Sequence, residues 1–155
     1  MTAAPARRAI PAKPTTYRGQ RFRSALEARW AVFFDDQEII WNYEPEKFAL
    51  TSGVYIPDFH LRWASGASVW AEVKPGIWDL DDHDLRRHAE FAAGDRVLVL
   101  LDGLPEARAY CMVGARWGIL LGARGPERMS LTTEVDDVRL QASCRRAAGV
   151  RFKRK

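Results

Sequence analysis

Three polar residues in one predicted β-hairpin are placed to act together. Residues 54–63 and 68–74 are rich in aromatic and β-branched residues, and the small residues between them favour a turn, which together predict a hairpin. With the turn centred between the two segments, Asp58 lies opposite Glu72. Because side chains alternate along a strand, Glu72 and Lys74 share one face. The spacing therefore predicts that Asp58, Glu72 and Lys74 project together.

The same register predicts the rest of the hairpin. It places Ile56 opposite Lys74, within one strand that is continuous from Val54 to Trp63. The other face is apolar and is expected to face the core. Its members are Phe59, Leu61, Val69, Ala71 and Val73.

Two carboxylates that face each other across a hairpin need compensation. Their β-carbons lie about 5 Å apart, and like charges at that distance destabilise a sheet. Asp58 and Glu72 supply the hard oxygen ligands that suit Mg²⁺, which takes one or two protein carboxylates and keeps several waters. Lys74 adds a positive charge where an anionic substrate would lie. Without metal, their mutual repulsion is expected to raise the pKa values of the pair.

Helices and strands on either side of the hairpin follow from periodicity and caps. Ser24 and Glu27 have capping-box spacing and start a helix to about Asp36. A second helix is predicted over 79–93, with Asp79 as its N-cap and with Leu80, Leu85 and Phe91 facing inward. Short strands are predicted over 39–43, 47–51, 96–101, 109–113 and 117–121, and a last helix over 134–148. The strand 96–101 is apolar throughout, as expected for a strand buried on both faces.

Charge divides the 155-residue chain into three parts, although its net charge is only +4. Residues 1–30 hold seven basic residues and one acidic residue, and residues 139–155 hold seven basic residues and no acidic one. The middle segment holds 10 basic and 19 acidic residues. Basic ends are typical of contact with phosphate backbones, although charged tails can also serve only solubility. The candidate DNA-binding residues are Arg18, Arg21, Arg23, Arg145, Arg146, Arg151 and Lys153.

Length and composition predict one folded domain with basic extensions. The expected division is a flexible basic arm over 1–16, a domain over 17–148 and a basic tail over 149–155. Cys111 and Cys144 have no zinc or disulfide spacing, which predicts reduced thiols in a cytoplasmic protein. No apolar run reaches the roughly 20 residues that span a bilayer, so no membrane partner is expected.

The motif around these acids resembles the signature of the PD-(D/E)xK nuclease superfamily. Ile56-Pro57-Asp58-Phe59 is followed by Glu72-Val73-Lys74, and Glu27 on the preceding helix matches a further acid that those nucleases commonly carry. The predicted order of helix, three strands, helix and strand matches the family core over residues 22–102. Residues 17–31, with Tyr43-Glu44-Pro45 and Glu72-Val73-Lys74-Pro75, are similar to small uncharacterised phage and actinobacterial members.

The resemblance implies an α/β fold of the restriction-endonuclease type, with a central mixed sheet flanked by helices. It implies that Asp58, Glu72 and the Val73 carbonyl bind Mg²⁺, for which Mn²⁺ can substitute, and that Glu27 binds a metal or its water. Lys74 would orient or deprotonate the attacking water and stabilise the transition state. The implied activity is hydrolysis of DNA phosphodiester bonds by a phage or mobile-element endonuclease, of which junction resolvases and transposon-end-cleaving enzymes are examples. Such enzymes commonly act as homodimers, and a phage enzyme would work in the cytoplasm of its bacterial host.

The same residues also allow interpretations in which they have only a structural role. Glu27 could be only a capping-box partner, and Asp58 after Pro57 could form a turn. Glu72 and Lys74 could be the polar stripe of an exposed edge strand. His60, His83 and His88 are expected to be ordinary surface residues, and Glu44 is a candidate accessory acid. Trp41, Trp63, Trp70 and Trp78 could stack on bases or pack in the core. The rival function is a non-catalytic nucleic-acid-binding or phage-assembly protein.

Overall fold

The computed structural model describes residues 12–131 and 135–153, which form an α/β fold around a seven-stranded mixed sheet. The strands are β1 (Thr15–Tyr17), β2 (Gln20–Phe22), β3 (Ile40–Tyr43), β4 (Phe48–Leu50), β5 (Gly53–Tyr55), β6 (Phe59–Arg62), β7 (Ser68–Lys74), β8 (Leu98–Asp102), β9 (Tyr110–Met112), β10 (Gly118–Gly122) and β11 (Gly125–Met129). The helices are α1 (Ala25–Asp36), α2 (Asp82–Ala92) and α3 (Val138–Gly149). The large sheet has the order β11-β10-β9-β8-β7-β6-β3, in which β7 and β8 are parallel and the other described neighbours are antiparallel.

One face of the sheet carries the main core, covered by α1 and α3. The predicted helix begins at Ser24, whose side chain accepts a hydrogen bond from the Glu27 N–H. Phe34 of α1 packs edge-on against Phe59, on the hairpin face predicted to be apolar, which is buried, and Trp30 packs edge-on against Tyr110. Burying large aromatic side chains of this kind is the main stabilising contribution, at roughly 2 to 3 kcal/mol for each. This core therefore fixes α1, and with it Glu27, against the sheet.

The opposite face is covered by α2 and by the small sheet of β4 and β5. Phe91 of α2 packs with Tyr55 and Leu98, as predicted for its inward position. The start of this helix was predicted wrongly. Asp81, not Asp79, is the N-cap, and residues Ile77–Asp79 form a short 3-10 helix.

The predicted inward leucines on α2 are also wrong. Leu85 is about half exposed, because the inward face of this short helix is occupied by His88 and Phe91, three residues apart. Leu80 precedes the helix and is only partly buried.

The hairpin of β6 and β7 has the predicted register. Phe59 pairs with Ala71 and Leu61 with Val69. The first strand is not continuous, however, because β5 leaves the large sheet and pairs with β4 instead. Pro57 lies at the interruption and has no N–H to donate to a ladder. The predicted pairing of Ile56 with Lys74 is therefore wrong, and Asp58 lies just before β6.

The remaining predicted strands are present with small shifts of their ends, and β8 is buried on both faces as expected. β11 was not predicted, because its sequence, Gly125-Pro126-Glu127-Arg128-Met129, has no alternation of apolar and polar residues. α3 begins later than predicted, at Asp137, whose side chain caps it; the predicted start at Glu134 lies outside the described residues. None of the described helices is both long and apolar enough to cross a membrane.

Candidate metal centre

The four residues predicted to act chemically lie on three elements that meet at one end of the β6–β7 pair. Asp58 immediately precedes β6, Glu72 and Lys74 lie near the end of β7, and Glu27 lies in the first turn of α1. β7 is a central strand between β6 and β8, and the Glu72 side chain is buried. The interpretation of Glu72 and Lys74 as an exposed edge stripe is therefore wrong.

Asp58 is held by two hydrogen bonds and is almost fully buried. Its Oδ2 accepts from the main-chain N–H of Val73 at 2.8 Å, and its Oδ1 accepts from Arg23 Nη2 at 2.9 Å. Burial, reinforced by the charges of Glu72 and Glu27, raises the pKa of Asp58 well above its ordinary value. The sequence predicted this direction. A buried carboxylate in this state favours either a proton or a nearby cation.

Glu72 has a different environment on the same side of the strand. Its Oε2 accepts from the Tyr55 hydroxyl at 2.9 Å, and its Oε1 lies 3.0 Å from Lys74 Nζ. Burial alone raises the pKa of Glu72, but the nearby His88 and Lys74 outweigh burial and lower it. The expectation that both carboxyls would have raised pKa values is therefore wrong for Glu72. Ionisation is therefore favoured at Glu72 and opposed at Asp58. A nearby cation would stabilise the ionised form of both carboxyls.

Glu27 is more than a capping residue. The Ser24 half of the predicted capping box forms, but the Glu27 carboxylate does not return to the Ser24 N–H. Its Oε2 instead accepts from the Tyr43 hydroxyl at 2.7 Å and from the Arg23 N–H at 3.1 Å. This carboxylate is buried and contributes to the raised pKa of Asp58. The hydroxyl of Tyr43 and the main chain of Arg23 therefore aim Glu27 toward the other acids.

Arg23 was predicted to bind DNA, and here it binds carboxylates. Its Nη2 lies 2.6 Å from Glu44 Oε1 and 2.9 Å from Asp58 Oδ1. Glu44 has a φ of 44°, an uncommon conformation, and its N–H donates to the carbonyl of Asp58. Glu44, a candidate accessory acid, is thus joined to the site through Arg23. The Arg23 side chain is 64% exposed, so its guanidinium remains accessible from solvent.

His88 is the residue of this region that the sequence did not predict. It was expected on the solvated face of α2, but it is fully buried, with Nε2 3.9 Å from Glu72 Oε1. Its position three residues before the buried Phe91 was the available signal. The polar residues around it on α2 concealed that signal, since they predict a solvated helix.

Glu27, Asp58 and Glu72 supply oxygen ligands of the type that binds a divalent cation, although their oxygens do not converge on a single point. Within the described chain, one group of three ligand-type side chains has all its ligand atoms within 4.8 Å of one another, namely Asp81, His83 and Asp84 at the exposed start of α2. Glu27, Asp58 and Glu72 are spread more widely. Their buried oxygens are hard ligands of the type that Mg²⁺ or Mn²⁺ prefers, and the raised pKa of Asp58 reflects burial and the negative charge of the neighbouring acids, which a cation would offset. The main chain of Val73 adjoins Asp58 and lies within the same group.

The two basic ends meet beside α1 in one groove of about 1260 Å³. Among the residues described there, none of the lining side chains is acidic. Its basic lining comprises Lys13, Arg18, Arg21, Arg29, Arg151 and Lys153. Arg21 belongs to β2, two residues before Arg23 of the candidate metal centre.

Four of the seven predicted DNA-binding residues line the groove: Arg18, Arg21, Arg151 and Lys153. Arg23 lies in the metal centre instead, and Arg146 forms an ion pair with Asp36 on α1. Arg145 is exposed on α3, away from the residues that line the groove. Most of the predicted arm, residues 1–11, and the last two residues lie outside the described chain.

Trp78 has a side chain that is 91% exposed. None of the other three tryptophans predicted to bind bases, all within the described chain, is strongly exposed. Trp78 lies in the short 3-10 helix that follows Lys74 by a few residues. Trp63 is buried and donates to the Gly122 carbonyl, and Trp70 stacks on His60 at 4.3 Å between ring centres. Trp41 packs against the main core.

Comparisons with models of known protein families, with curated proteins and with solved structures give no significant match. The interpretation of the site therefore depends on its geometry. Glu27, Asp58 and Glu72 are buried, and the Lys74 ammonium lies 3.0 Å from one of them, Glu72. Such an arrangement can hold a divalent cation and present it to a phosphate.

Proposed function

We propose that the protein is a Mg²⁺-dependent nuclease of the PD-(D/E)xK type that hydrolyses phosphodiester bonds in DNA. One observation carries the proposal: Asp58 and Glu72 are buried together at the end of a central strand pair, with Lys74 3.0 Å from Glu72. Two buried acids beside a lysine are costly for folding, since charged groups lose hydration on burial. Such a cost is commonly retained where the charges do chemistry.

In the proposed reaction, Asp58, Glu72 and the Val73 carbonyl would hold the cation, and Glu27 would bind a metal or its water. Lys74, already next to Glu72, orients the attacking water and stabilises negative charge on the phosphate in the transition state. A bound divalent cation would lower the pKa of that water and polarise the scissile phosphate. Tyr43 and Tyr55 keep Glu27 and Glu72 in place by donating to one oxygen of each.

The basic groove supports a nucleic-acid substrate. Its six basic side chains supply positive charge for the phosphates of a backbone, although Arg18 also pairs with Asp35 and Arg29 also donates to carbonyls at the end of α3. The DNA preference and a homodimeric state follow from the family resemblance, so they require tests of their own: a matched RNA substrate, and the molecular mass in solution.

One observation favours the rival function, a non-catalytic nucleic-acid-binding protein. The guanidinium of Arg23 occupies Oδ1 of Asp58, an oxygen that the cation would need. In the nuclease, this guanidinium must release Asp58 when cation and phosphate bind. In the non-catalytic protein, the ion pair is permanent.

The two functions are separated by incubating supercoiled plasmid, branched DNA and matched RNA with Mg²⁺ or Mn²⁺. We expect metal-dependent cleavage that EDTA abolishes and that falls at least about 100-fold in Lys74→Met and Asp58→Asn. Lys47→Met and Asp95→Asn replace exposed residues and should retain activity. Cleavage that persists in EDTA or in both site variants would overturn the mechanism, and binding without cleavage in either metal would favour the rival.

A further inference from the structure

His88 is an unusual residue for the interior of this protein. Its side chain is fully buried on α2, and neither Nδ1 nor Nε2 has a hydrogen-bond partner. A buried polar group without a partner is unfavourable, because it loses its hydration and gains no hydrogen bond in exchange. Phe91, three residues further on, is the other buried residue of α2, and its side chain is apolar. The imidazole therefore needs an explanation beyond packing.

The surroundings of His88 point toward Glu72. Its Nε2 lies 3.9 Å from Glu72 Oε1, which is within ion-pair distance when the imidazole is protonated but is too long for a hydrogen bond. The Tyr55 ring lies on another side, 5.7 Å away between ring centres, and its hydroxyl is already committed to Glu72 Oε2. His88 and Glu72 thus face each other, and within the described chain no protein group bridges the two side chains by hydrogen bonds.

The distance between His88 and Glu72 is compatible with a shared cation. Metal–ligand bonds to nitrogen and oxygen are about 2.1 Å long, so two ligands of one ion lie at most about 4.2 Å apart. The separation of 3.9 Å falls within this limit. Lys74 contacts the same oxygen of Glu72, but a carboxylate oxygen has two lone pairs and can serve both.

We infer that His88 is a nitrogen ligand of the metal centre, sharing one ion with Glu72. The inference rests on the proposed function, because it assumes that a cation binds at Glu72. It adds a ligand from α2, an element for which the sequence predicted no role in the site. Imidazole suits transition metals better than Mg²⁺, so the site should bind Mn²⁺ more tightly than Mg²⁺.

The chain provides its own test, since it contains only three histidines, His60, His83 and His88. Untagged His60→Gln/His83→Gln protein keeps His88 alone, and it also removes His83 from the exposed acidic group on α2. Bound Mn²⁺ is then examined by electron spin echo envelope modulation, which detects coordinated ¹⁴N. We expect imidazole nitrogen modulation, which should change when the histidine is labelled with ¹⁵N.

Replacing the last histidine completes the test. His88→Gln in the same background should lose the modulation and weaken Mn²⁺ binding at least about 10-fold, whereas Glu72→Gln should remove the site. The signal of the His88-only protein is decisive even if the His88 variant does not fold.

The outcomes separate this inference from the proposed function. Mn²⁺ binding that depends on Glu72 but shows no imidazole nitrogen overturns the His88 inference and leaves the nuclease proposal standing. Modulation that survives His88→Gln also overturns it. Absence of any Glu72-dependent Mn²⁺ binding overturns the inference and the metal centre together.

Discussion

At the scale of single residues, the burial of Asp58 lowers the stability of the metal-free protein. Its buried carboxyl accepts from the Val73 N–H and from Arg23, yet burial and the neighbouring acids still raise its pKa. A raised pKa in the folded state means that protonation stabilises the fold. The favourable contribution is complete below the unfolded pKa of about 3.9 and is lost as the pH rises through the folded value. At pH values above the unfolded pKa and without metal, Asp58 therefore makes folding less favourable.

Asp58→Asn should make the metal-free protein more stable at pH 7, by about 1 to 2 kcal/mol. The amide oxygen can still accept from Val73, while the repulsion from Glu72 and Glu27 is removed. Urea unfolding at pH 7 measures the gain, which should shrink at acidic pH as the wild-type carboxyl becomes protonated. The variant should also lose the stabilisation that Mn²⁺ gives the wild type. Asp95→Asn is the exposed control, and a less stable Asp58→Asn protein would contradict the charge argument.

Residue types near the site were predictable, but their partners were not. The sequence predicted Asp58, Glu72 and Lys74 from local spacing, because alternation and one turn set their relation. Arg23 and His88 entered the site from other elements, whose packing is determined by the whole core. A single arginine could equally contact DNA or a carboxylate, and a histidine on a polar helix could equally be solvated or buried. The spacing of residues in the sequence does not distinguish these alternatives.

At the scale of elements, α1 and α3 are tied by one arginine. Arg29 of α1 donates to the carbonyls of Ala148 at 2.6 Å and Val150 at 2.8 Å, at the C-terminal end of α3. These carbonyls otherwise lack helical partners. The Arg29 guanidinium also lies over the ring of Phe152, which packs edge-on against Tyr17. This contact joins the C-terminal tail to β1 and shapes one side of the groove.

Arg29→Met should therefore destabilise the protein by about 2 to 3 kcal/mol, since it leaves helix-end carbonyls without a charged donor. Chemical denaturation measures the change. Arg86→Met on the exposed side of α2 provides the control and should shift stability by no more than about 0.5 kcal/mol. Equal effects of the two substitutions would show that the α1–α3 connection contributes little.

Trp78 presents the only strongly exposed tryptophan ring of the described chain, on the short helix just beyond β7. Stacking of a base on an aromatic side chain contributes roughly 1 to 3 kcal/mol. We expect Trp78→Ala to weaken binding of single-stranded or branched DNA about 10-fold, with unchanged thermal stability. Fluorescence anisotropy of labelled DNA and thermal unfolding measure the two quantities. Unchanged affinity would assign Trp78 no part in binding.

Elements were largely predictable where the pattern was local, and the errors have physical causes. The β6–β7 register followed from the short turn and the apolar alternation of Phe59 and Leu61. Pro57 interrupts the strand that was predicted over 54–63, and its first part, β5, pairs with β4. β11 pairs with β10 through its main chain, for which the sequence offers no side-chain pattern.

At the scale of the whole molecule, folding brings the two basic ends of the chain together. Described residues of the N-terminal and C-terminal segments, far apart in sequence, line one groove, while Asp58 and Glu72 from the middle of the chain are buried at one end of the β6–β7 pair. Phosphate backbones are bound through release of counterions, so affinity falls with salt in proportion to the number of contacts. The groove therefore predicts a strong salt dependence, whichever nucleic acid it accepts.

Arg21→Gln and Arg151→Gln come from opposite ends of the chain, and each should lower the slope of log affinity against log salt by about 1. The double variant should lower it by about 2, because the two side chains line the same groove and are expected to contact different phosphates. Arg124→Gln, on an exposed turn outside the groove, should leave the slope unchanged. Anisotropy titrations of one duplex over a range of salt concentrations provide the measurement. If Arg21 affects the slope and Arg151 does not, the two basic ends do not act on one backbone, and the groove is not the binding track.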